Sequence, residues 1–350
     1  MAACSQWTCN EWGGIGAGKA MQIVFLGTGA GAPTARRNVS AIVLQFDQGS
    51  SLWLFDCGEG TQQQFARAKL SLSRVSHIFI SHLHGDHLFG LPGLLGSRSL
   101  QCGTTAELTV YGPQGIADYL RQCFAVTKTT LAYPLTIREF AEDGVLLETA
   151  AMTVTIAALC HRIASYGFAL QEAPRSGRFR ADLAAQHGLP PGPLYGRLKA
   201  GEDVVLADGR KVMAQDYSGG QVPGRKVTIL GDSAPCEQAK NLARASDVLI
   251  AESTFAHSEW QIAARSYHST ARQTAMLAQS ADVRTLILTH VSARYQNADS
   301  ADAADADAEA ADDHPLLSEA RAVFANTLLA HDFYRHQVSR RDPPTPDPYT

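Results

Sequence analysis

Four strong metal ligands lie within six consecutive positions of the chain, in the heptad Ser81–His87, which reads SHLHGDH. His82 and His84 are two residues apart, so on an extended or loop backbone they would point to the same side and could hold one ion. Asp86 and His87 would face elsewhere, and a loop that divides its ligands in this way can serve two metals roughly 3.5 to 4 Å apart, the arrangement used for phosphoryl displacement. Because neutral imidazoles and carboxylates suit zinc and similar cations, the heptad predicts a hydrolytic metal centre rather than a polar surface turn.

Two further candidate ligands each follow a predicted buried strand. Asp232 comes after the apolar run VTILG, and His290 comes after TLILT. The carboxyl ends of strands gather into one cleft in layered α/β folds, so both side chains are expected to lie near the heptad. Taken alone, Asp232 could be the N-cap of a following helix, and His290 could be a buried core histidine. Together with the heptad, the metal interpretation is favoured for both.

The elements that must position these residues are predicted from short apolar runs and helical spacing. Strands are predicted at 21–26, 40–46, 51–56, 77–80, 107–111, 152–158, 165–171, 226–230, 247–251 and 285–289. Helices are predicted at 59–69, 113–124, 235–243, 268–279 and 316–327. Strands interleaved with helices predict the α/β class, with two sheets covered by outer helices in an αββα four-layer sandwich and the metal ligands at one edge.

The heptad and the residues after it, SHLHGDHLFGLPGLL, resemble the signature of the metallo-β-lactamase superfamily in the form used by ribonuclease Z, the short-form, RNase BN-like tRNA 3′-processing endoribonucleases. Upstream, IVFLGTGAGAPT and LWLFDCGEGTQQQ are similar to that family's opening strands and first motif, with Asp56 at the motif position. The resemblance extends over Met21–Tyr334. It implies the metallo-β-lactamase αββα fold with a protruding flexible arm.

The resemblance also implies a metal site with two zinc ions per subunit. One ion would be held by His82, His84 and His161, and a second by Asp86, His87 and His290, with Asp232 bridging the two. The activity implied is that of a zinc-dependent endoribonuclease, which removes the 3′ trailer from precursor tRNA and leaves a 3′-hydroxyl on the tRNA. A bound water, its pKa brought toward about 7, would attack the phosphodiester as a metal hydroxide.

Three residues carry the implied catalytic roles. Asp86 would orient the attacking water in addition to binding metal. His268 matches the family's histidine that protonates the leaving 3′ oxygen, and an ordinary imidazole pKa of about 6.5 is suitable for that task. Glu252 matches the glutamate that orients this histidine, although the family's usual His-Glu-Ala-Thr is Ala-Glu-Ser-Thr here. The alternative for His268 is a structural role at the start of the helix predicted in this region.

The proline- and glycine-rich segment Gly188–Val204 resembles the flexible arm with which the family grips the tRNA elbow. An ordinary linker would also explain the proline- and glycine-rich composition of this segment. Arg197 and Lys199 suit phosphate contacts, which position an RNA without reading its sequence. The arm pattern is matched by Gly192, Pro193, Leu194, Leu198, Lys199 and Gly201.

The segment Pro33–Asn38, PTARRN, resembles the loop that the family places beside the acceptor end of tRNA. Arg37 and Asn38 fit this pattern and are predicted to bind substrate, whereas Ala35 stands where a basic residue is common. The alternative is that Arg36 and Arg37 form an ordinary solvated pair.

Composition describes a soluble globular protein without a strong charge bias. The chain has 350 residues, 45% of them apolar, a mean hydropathy of −0.11, and no apolar run approaching the roughly 20 residues of a membrane span. Seven scattered cysteines predict a reducing cytoplasm. The net charge is −4, but residues 299–313 contain seven acidic side chains, without which the net charge would be +3. The charge therefore neither supports nor excludes a nucleic-acid partner.

One catalytic domain is predicted at residues 21–335. Within it, about 174–205 would form the flexible tRNA-binding arm and about 296–314 an acidic low-complexity insertion. Residues 1–20 are predicted to be a disordered extension, with Met21 as an alternative start of translation, and 336–350 a disordered tail.

The family resemblance implies precursor tRNA as the partner, no membrane, and a homodimer in which each arm serves the partner's active site. Two alternatives stay open at this point. The chain could be a small or cyclic phosphodiesterase of the same fold, or a catalytically silent RNA-binding scaffold.

Overall fold

The computed structural model describes residues 21–46, 51–102, 107–177, 179–217, 221–298 and 314–340. The predicted extension at 1–20, most of the predicted acidic insertion and the last ten residues of the predicted tail lie outside these ranges.

The strands of the described residues are, in chain order, β1 (Met21–Gly27), β2 (Gly29–Ala30), β3 (Ala41–Phe46), β4 (Leu52–Phe55), β5 (Val75–Phe79), β6 (Leu108–Pro113), β7 (Leu135–Phe140), β8 (Gly144–Glu148), β9 (Met152–Leu159), β10 (Ser165–Glu172), β11 (Arg175–Ser176), β12 (Val204–Val205), β13 (Lys211–Val212), β14 (Gln221–Val222), β15 (Lys226–Leu230), β16 (Val248–Glu252), β17 (Thr285–Thr289), β18 (Val291–Ser292), β19 (Thr327–Leu329) and β20 (Arg335–Gln337).

The α-helices are α1 (Thr61–Arg67), α2 (Gly85–Leu88), α3 (Leu91–Cys102), α4 (Ile116–Thr127), α5 (Ala181–Gln186), α6 (Pro193–Lys199), α7 (Ala214–Tyr217), α8 (Glu237–Ala243), α9 (Trp260–Ser266), α10 (Ala271–Ser280) and α11 (Pro315–Arg321). Short 3₁₀ turns lie at Leu72–Arg74, His257–Glu259 and Ala293–Tyr295. None of the helices in the described ranges combines the length and the apolar character needed to cross a membrane.

Within the described ranges, the longer strands form two seven-stranded sheets. The strand order is β20-β1-β3-β4-β5-β6-β7 in the first sheet and β19-β17-β16-β15-β10-β9-β8 in the second. One half of each sheet is parallel: β4 to β7 in the first, and β15, β16, β17 and β19 in the second. Parallel strands place all their carboxyl ends at one edge, so each sheet offers an edge where functional side chains can meet.

Three hydrophobic cores separate four layers. Alternate residues of a strand face opposite sides of a sheet, and in β1 this places Ile23 and Phe25 in the core between the sheets, while Val24 and Leu26 face outer helices. The outer core of the first sheet includes residues of α1, α3 and α4, and that of the second includes residues of α10 and α11. Burial of each such aliphatic or aromatic side chain stabilises the folded state by about 1.5–3 kcal/mol relative to leaving it exposed to water. This arrangement confirms the predicted αββα sandwich.

The predicted strands are all present, and the longer strands that sequence analysis misses lie at the outer edges. These are β7, β8, β19 and β20, which end the two sheets on either side. An edge strand contacts one neighbour only and needs a weaker apolar pattern, as the largely exposed β8 shows. The helix predicted at 316–327 is wrong at its end, because α11 stops at Arg321 and Thr327 begins β19, which pairs with β17. The tail predicted from 336 is also wrong at its start, because β20 pairs with β1.

Between β10 and β15 the chain leaves the second sheet and forms a small appended module, Arg175–Val222. The strands β11 and β14 pair at its base, with Arg175 opposite Val222. The module has its own buried core, which includes Leu198 and Tyr217. The predicted arm, about 174–205, is therefore too short, because the excursion closes only where β14 returns.

A buried ion pair closes the neck of this module. Arg225 donates through Nε to Oε2 of Glu172 at 2.8 Å, and its backbone N–H donates to the same oxygen at 3.1 Å. The side chains are 4% and 9% exposed. Removing one partner of such a buried pair costs about 3–5 kcal/mol, because the other charge is left uncompensated. The pair therefore fixes where the module leaves the sheet and where it returns.

Candidate metal centre

The predicted ligands lie where strands of the two sheets end. In the first sheet the heptad follows β5, and Asp86 and His87 are part of the short helix α2. In the second sheet Asp232 follows β15 and His290 follows β17. His161 lies in the connection between β9 and β10. The structure thus brings all seven predicted ligands to one edge of the sandwich.

The first donor group consists of His82, His84, His161 and Asp232, whose ligand atoms lie within 4.8 Å of one another. Nε2 of His82 lies 3.1 Å from Nδ1 of His84, and Nε2 of His161 lies 3.3 Å from the same nitrogen. Oδ2 of Asp232 lies 3.8 Å from Nε2 of His82. Three imidazoles and one carboxylate oxygen therefore converge on one position.

The second donor group consists of Asp86, His87, Asp232 and His290. Nε2 of His87 and Nε2 of His290 are 3.3 Å apart. Oδ2 of Asp86 lies 3.5 Å from the first nitrogen and 3.3 Å from the second. Asp232 approaches the same nitrogens, with Oδ1 3.4 Å from His87 and Oδ2 3.3 Å from His290. Asp232 therefore lies between the two groups.

The donor groups fit divalent cations. For zinc with ligand distances of about 2.0–2.1 Å, a tetrahedral arrangement places neighbouring donor atoms about 3.3 Å apart. The donor-to-donor distances given above run from 3.1 to 3.8 Å, and all ligand atoms of each group lie within 4.8 Å of one another. Imidazole nitrogens and carboxylate oxygens are also the ligand types that zinc and related ions accept. These residues therefore suit two neighbouring cations.

Asp56 orients the imidazoles of His87 and His82 through the ring nitrogens that face away from the donor groups. Its carboxylate accepts from Nδ1 of His87 at 2.8 Å, and from the backbone N–H and the hydroxyl of Ser81 at 2.7 and 2.9 Å. The Ser81 hydroxyl in turn lies 2.9 Å from Nδ1 of His82. Asp56 adopts a left-handed backbone conformation, φ 57°, which is uncommon for a residue other than glycine. Partners of this kind fix the orientation of the rings and leave Nε2 facing the donor groups.

The helix α2, which carries two of the donors, lies directly against the loop at Asp56. The backbone N–H of Cys57 donates to the carbonyl of His87 at 2.8 Å, and that of Gly90 donates to the carbonyl of Cys57 at 2.9 Å. A Cβ atom at Gly90 would lie 2.0 Å from the carbonyl oxygen of Gly58. Only glycine permits this approach, which keeps the helix and the loop in a fixed relation.

Glu252, the last residue of β16, orients His268. Nδ1 of His268 lies 3.0 and 3.1 Å from the two carboxylate oxygens. The same carboxylate accepts the backbone N–H of Ser233 at 2.7 Å and that of Ser269 at 3.1 Å. Burial acts to lower the pKa of His268, but the Glu252 carboxylate raises it to about 9. The His268 ring stacks on that of His290 with centroids 5.5 Å apart, so a protonated imidazole lies at the border of the second donor group.

Buried charges of opposite sign share this centre. Burial acts to raise the pKa of Asp232, but His290 and His87 hold it well below its usual range. Burial acts to lower the pKa of His87, yet Asp232 and Asp56 raise it well above its usual range. The pKa of His82 is lowered well below its usual range by burial and by the neighbouring His87. Because a ligating nitrogen must be unprotonated, binding of a cation at His87 would release a proton.

The loop predicted to lie beside the tRNA acceptor end is tied into the interior. Arg37 is 4% exposed, and it donates through Nη1 to the hydroxyl of Thr28 at 2.9 Å and to the carbonyl of Ala330 at 2.6 Å. The buried Arg37 is therefore not part of a solvated pair, and its contact with substrate stays a prediction. Asn38 is half-buried, and its backbone N–H donates to Asp332 at 2.7 Å. Its contact with substrate stays a prediction.

The tip of the same loop reaches the donor groups. The backbone N–H of Gly31 donates to Oδ2 of Asp86 at 2.8 Å. The strand β2 in this loop pairs with β18, which directly follows His290. Asp332 anchors this loop by accepting from the backbone N–H of Asn38, and it also accepts from Nε2 of Gln64 at 2.8 Å. Burial raises the pKa of Asp332 to about 6. Sequence analysis does not identify this anchor.

The predicted arm residues belong to the appended module and not to the donor groups. They lie at the start of α6 or within it: Gly192, Pro193, Leu194, Arg197 and Lys199. Leu194 packs against the core of the module. Arg197 pairs with Glu202 at 2.9 Å, and Nζ of Lys199 lies 5.7 Å from the centre of the Phe179 ring. Both cationic groups thus have partners within the module, and their contact with tRNA stays a prediction.

Three groups that support the donors escape sequence analysis. They are the hydroxyls of Ser81 and Thr254 and the carbonyl of Tyr267, which lies 2.9 Å from Nδ1 of His161. Ser81 is the first residue of the heptad. Thr254 lies two residues after Glu252, so on an extended backbone the side chains of Glu252 and Thr254 would point to the same side. The positions of these two hydroxyl residues in the sequence could therefore have identified them as supports of the donors. The carbonyl of Tyr267 could not have been identified in this way, because every residue has a backbone carbonyl.

The fold and the paired donor groups define a metal-dependent hydrolase of the metallo-β-lactamase class. A solved metallo-β-lactamase-fold protein from Bacillus subtilis has a TM-score of 0.60 to this chain, with 16% identity over 91% of this chain and 99% of that protein. The family model described as "Anti-Pycsar protein Apyc1" matches residues 21–172.

The chain is 44% identical to a ribonuclease Z of Acaryochloris marina over 92% of its own length and 98% of that protein. Human tRNase Z, short form, is similar in structure, with a TM-score of 0.63 and 28% identity over 91% of this chain and 99% of that protein. The chain belongs to the ribonuclease Z family, and it is accordingly a metal-dependent phosphodiester hydrolase with endoribonuclease activity. The family predicted from the motifs is confirmed.

Proposed function

We propose that this protein is a zinc-dependent endoribonuclease that cleaves the 3′ trailer from precursor tRNA and leaves a 3′-hydroxyl on the tRNA. The names of its relatives, ribonuclease Z and tRNase Z, support this substrate. The observation that carries the proposal is the pair of donor groups sharing Asp232, with His268 at their border. Two adjacent cation positions and one proton donor meet the needs of phosphodiester hydrolysis.

The two cation positions would be held by His82, His84 and His161 and by Asp86, His87 and His290, with Asp232 shared. When bound, two zinc ions would supply an activated water and neutralise charge on the phosphoryl oxygens. Burial acts to raise the pKa of Asp86, but His290 and His87 lower it, so its carboxylate stays a hydrogen-bond acceptor. Asp86 can therefore orient a water as well as bind metal.

His268 would protonate the leaving 3′ oxygen of the ribose. Glu252 holds Nδ1 of the ring, so Nε2 is the nitrogen that can face the scissile bond. The raised pKa of His268 keeps a proton on the ring near neutral pH. Proton donation of this kind contributes about 10²- to 10⁴-fold to a rate.

The appended module Arg175–Val222 would bind the tRNA at a distance from the reaction, and the enzyme would act as a homodimer in which each module serves the partner's site. Mixing two impaired variants tests this arrangement. One variant lacks the module, and the other carries His268→Asn. If the module serves the partner, the mixture cleaves precursor tRNA faster than either variant alone, because one site then has both an intact His268 and a module. If each module serves its own subunit, mixing gives no such gain.

The enzyme would work in the cytoplasm. Cys57, Cys123, Cys160 and Cys236 are free thiols in the part of the chain that the structure describes. Free thiols are typical of a reducing compartment.

End-labelled precursor tRNA, with and without an encoded CCA end, tests the proposed activity. We expect cleavage at the end of the mature tRNA, about two zinc ions per chain, and loss of activity on chelation with recovery on adding zinc. Cleavage of small or cyclic phosphodiesters without cleavage of precursor tRNA would instead identify a small phosphodiesterase. Binding of tRNA without cleavage would identify a silent scaffold.

A further inference from the structure

The hydroxyl of Thr254 lies between the carboxylate of Glu252 and the imidazole of His290. Thr254 is 4% exposed and lies two residues beyond the end of β16. Its Oγ1 is 2.6 Å from Oε2 of Glu252 and 2.9 Å from Nδ1 of His290. One hydroxyl therefore joins the carboxylate that orients the proposed proton donor to a proposed metal ligand.

The protons available in this contact determine the tautomer of His290. A hydroxyl has one proton to donate and lone pairs to accept with. The carboxylate of Glu252 accepts, so Thr254 donates to it and can only accept from His290. Nδ1 of His290 must then carry the ring proton, which leaves Nε2 unprotonated toward Asp86 and Asp232, 3.3 Å from an oxygen of each. This tautomer is the one that can bind a metal through Nε2.

The same arrangement occurs at the edge of the other sheet. Asp56 holds His87 directly at 2.8 Å and reaches His82 through the hydroxyl of Ser81, with both steps at 2.9 Å. Glu252 likewise holds one imidazole directly and a second through a hydroxyl. Each sheet thus presents one carboxylate and one hydroxyl that together support two imidazoles.

We propose that Thr254 is a positioning residue for the second cation position, and that Glu252 supports metal binding through it in addition to orienting His268. This inference rests on the proposed function, because the ligand role of His290 does. Without the hydroxyl, Nδ1 of His290 loses its acceptor, and the ring is no longer held to one tautomer and one orientation. Outer partners of this kind change metal affinity by about 10- to 100-fold.

Three substitutions isolate the hydroxyl. Thr254→Val has a similar volume but cannot form either hydrogen bond, and Thr254→Ser keeps the hydroxyl. Thr274→Val is a matched control, because Thr274 is also 4% exposed and its hydroxyl donates to the main-chain carbonyl of Glu252 at 2.7 Å. The control removes a buried hydroxyl from the same region without touching an imidazole.

The first measurement needs no metal and no substrate. Long-range ¹H–¹⁵N correlations of the metal-free protein, at a pH about two units above the ordinary imidazole pKa of about 6.5, report the tautomer of His290. We expect the Nδ1–H form in the wild type, in Thr254→Ser and in Thr274→Val, and a mixture of tautomers in Thr254→Val. An Nε2–H form in the wild type would overturn the inference whatever the variants do.

The second measurement is zinc affinity by competition with a chelator. We expect the weaker-bound zinc to lose about 10- to 100-fold in affinity in Thr254→Val, with wild-type affinity in Thr254→Ser and Thr274→Val. Wild-type affinity in Thr254→Val, or an equal loss in Thr274→Val, would overturn the inference. Should Thr254→Val not fold, Thr254→Ala replaces it with the same expected results. Neither measurement uses RNA, so failure to cleave precursor tRNA would refute the proposed function and leave this inference to its own tests.

Discussion

Replacing His268 by asparagine should slow cleavage strongly when the leaving group is basic and only slightly when the leaving group is stable as an anion. A ribose 3′ oxygen leaves as a strongly basic alkoxide unless it receives a proton, whereas p-nitrophenolate is stable as an anion. If His268 is the proton donor, the variant loses rate on precursor tRNA and keeps most of its rate on bis(p-nitrophenyl) phosphate. A chain in which His268 only shapes the site would lose rate on both substrates alike.

The structure sets the size of the expected loss. General acids contribute about 10²- to 10⁴-fold, which is about 3–5 kcal/mol of barrier. The His268 side chain is 17% exposed, so bulk water has little access to replace it as the acid. We therefore expect the loss on precursor tRNA to lie in the upper half of this range, about 10³- to 10⁴-fold, and the loss on the activated ester to stay within about tenfold.

The assay must also separate acid catalysis from metal binding, because ligand atoms of Glu252, His268 and His290 lie within 4.8 Å of one another and could hold a cation themselves. Single-turnover cleavage of both substrates is therefore measured together with the zinc content of each preparation. His257→Ala is the matched control, since His257 lies on the nearby 3₁₀ turn and its Nδ1 contacts the hydroxyl of Thr270 instead of Glu252. Equal losses on the two substrates, or loss of zinc in His268→Asn, would refute the assigned role.

Three further predictions follow from other parts of the structure. Asp56→Asn should weaken zinc binding by about 10- to 100-fold, because an amide beside His87 favours the wrong tautomer, and unchanged affinity in a chelator competition would contradict this. Replacing Arg175–Val222 by a short glycine-serine linker should weaken tRNA binding by about ten- to hundredfold in a filter assay while sparing bis(p-nitrophenyl) phosphate; equal losses would remove the role of the module. Glu172→Ala should lower the free energy of unfolding by about 3–5 kcal/mol in urea, because the buried charge of Arg225 loses its carboxylate partner, and a loss below about 1 kcal/mol would show that the ion pair is not needed. Arg225 holds the pKa of Glu172 below its usual range despite burial, so the contribution of this pair is present above about pH 4.3 and should disappear as the pH falls further.

The donor set is the part of the site that sequence alone could predict. His82, His84, Asp86 and His87 are adjacent in the chain, and Asp232 and His290 each follow an apolar run that forms a buried strand. Strand ends meet at one edge in a layered fold, so local order was enough to expect these side chains together. His161 also lies shortly after a predicted strand, at 152–158, but it was placed among the donors by the family resemblance alone.

The supports of the donors depend on contacts between residues far apart in the chain. Arg37 looked like a surface residue in a basic segment, yet Thr28 and Ala330 enclose it in the interior. The carboxylate of Asp332 anchors a loop about 300 residues earlier in the chain. No local pattern encodes such partners.

The sequence by itself therefore determined the family, the central strands and six of the seven donors, because apolar period and ligand spacing are local properties. The tertiary structure decided which residues support those donors, where the edge strands lie and where the appended module closes. Thr254 illustrates the difference: its hydroxyl becomes informative only when the ends of β16 and β17 lie side by side and bring Glu252 and His290 within reach of one oxygen. Hydrogen-bond partners across a sheet are set by register and packing, and these exist only once the chain has folded.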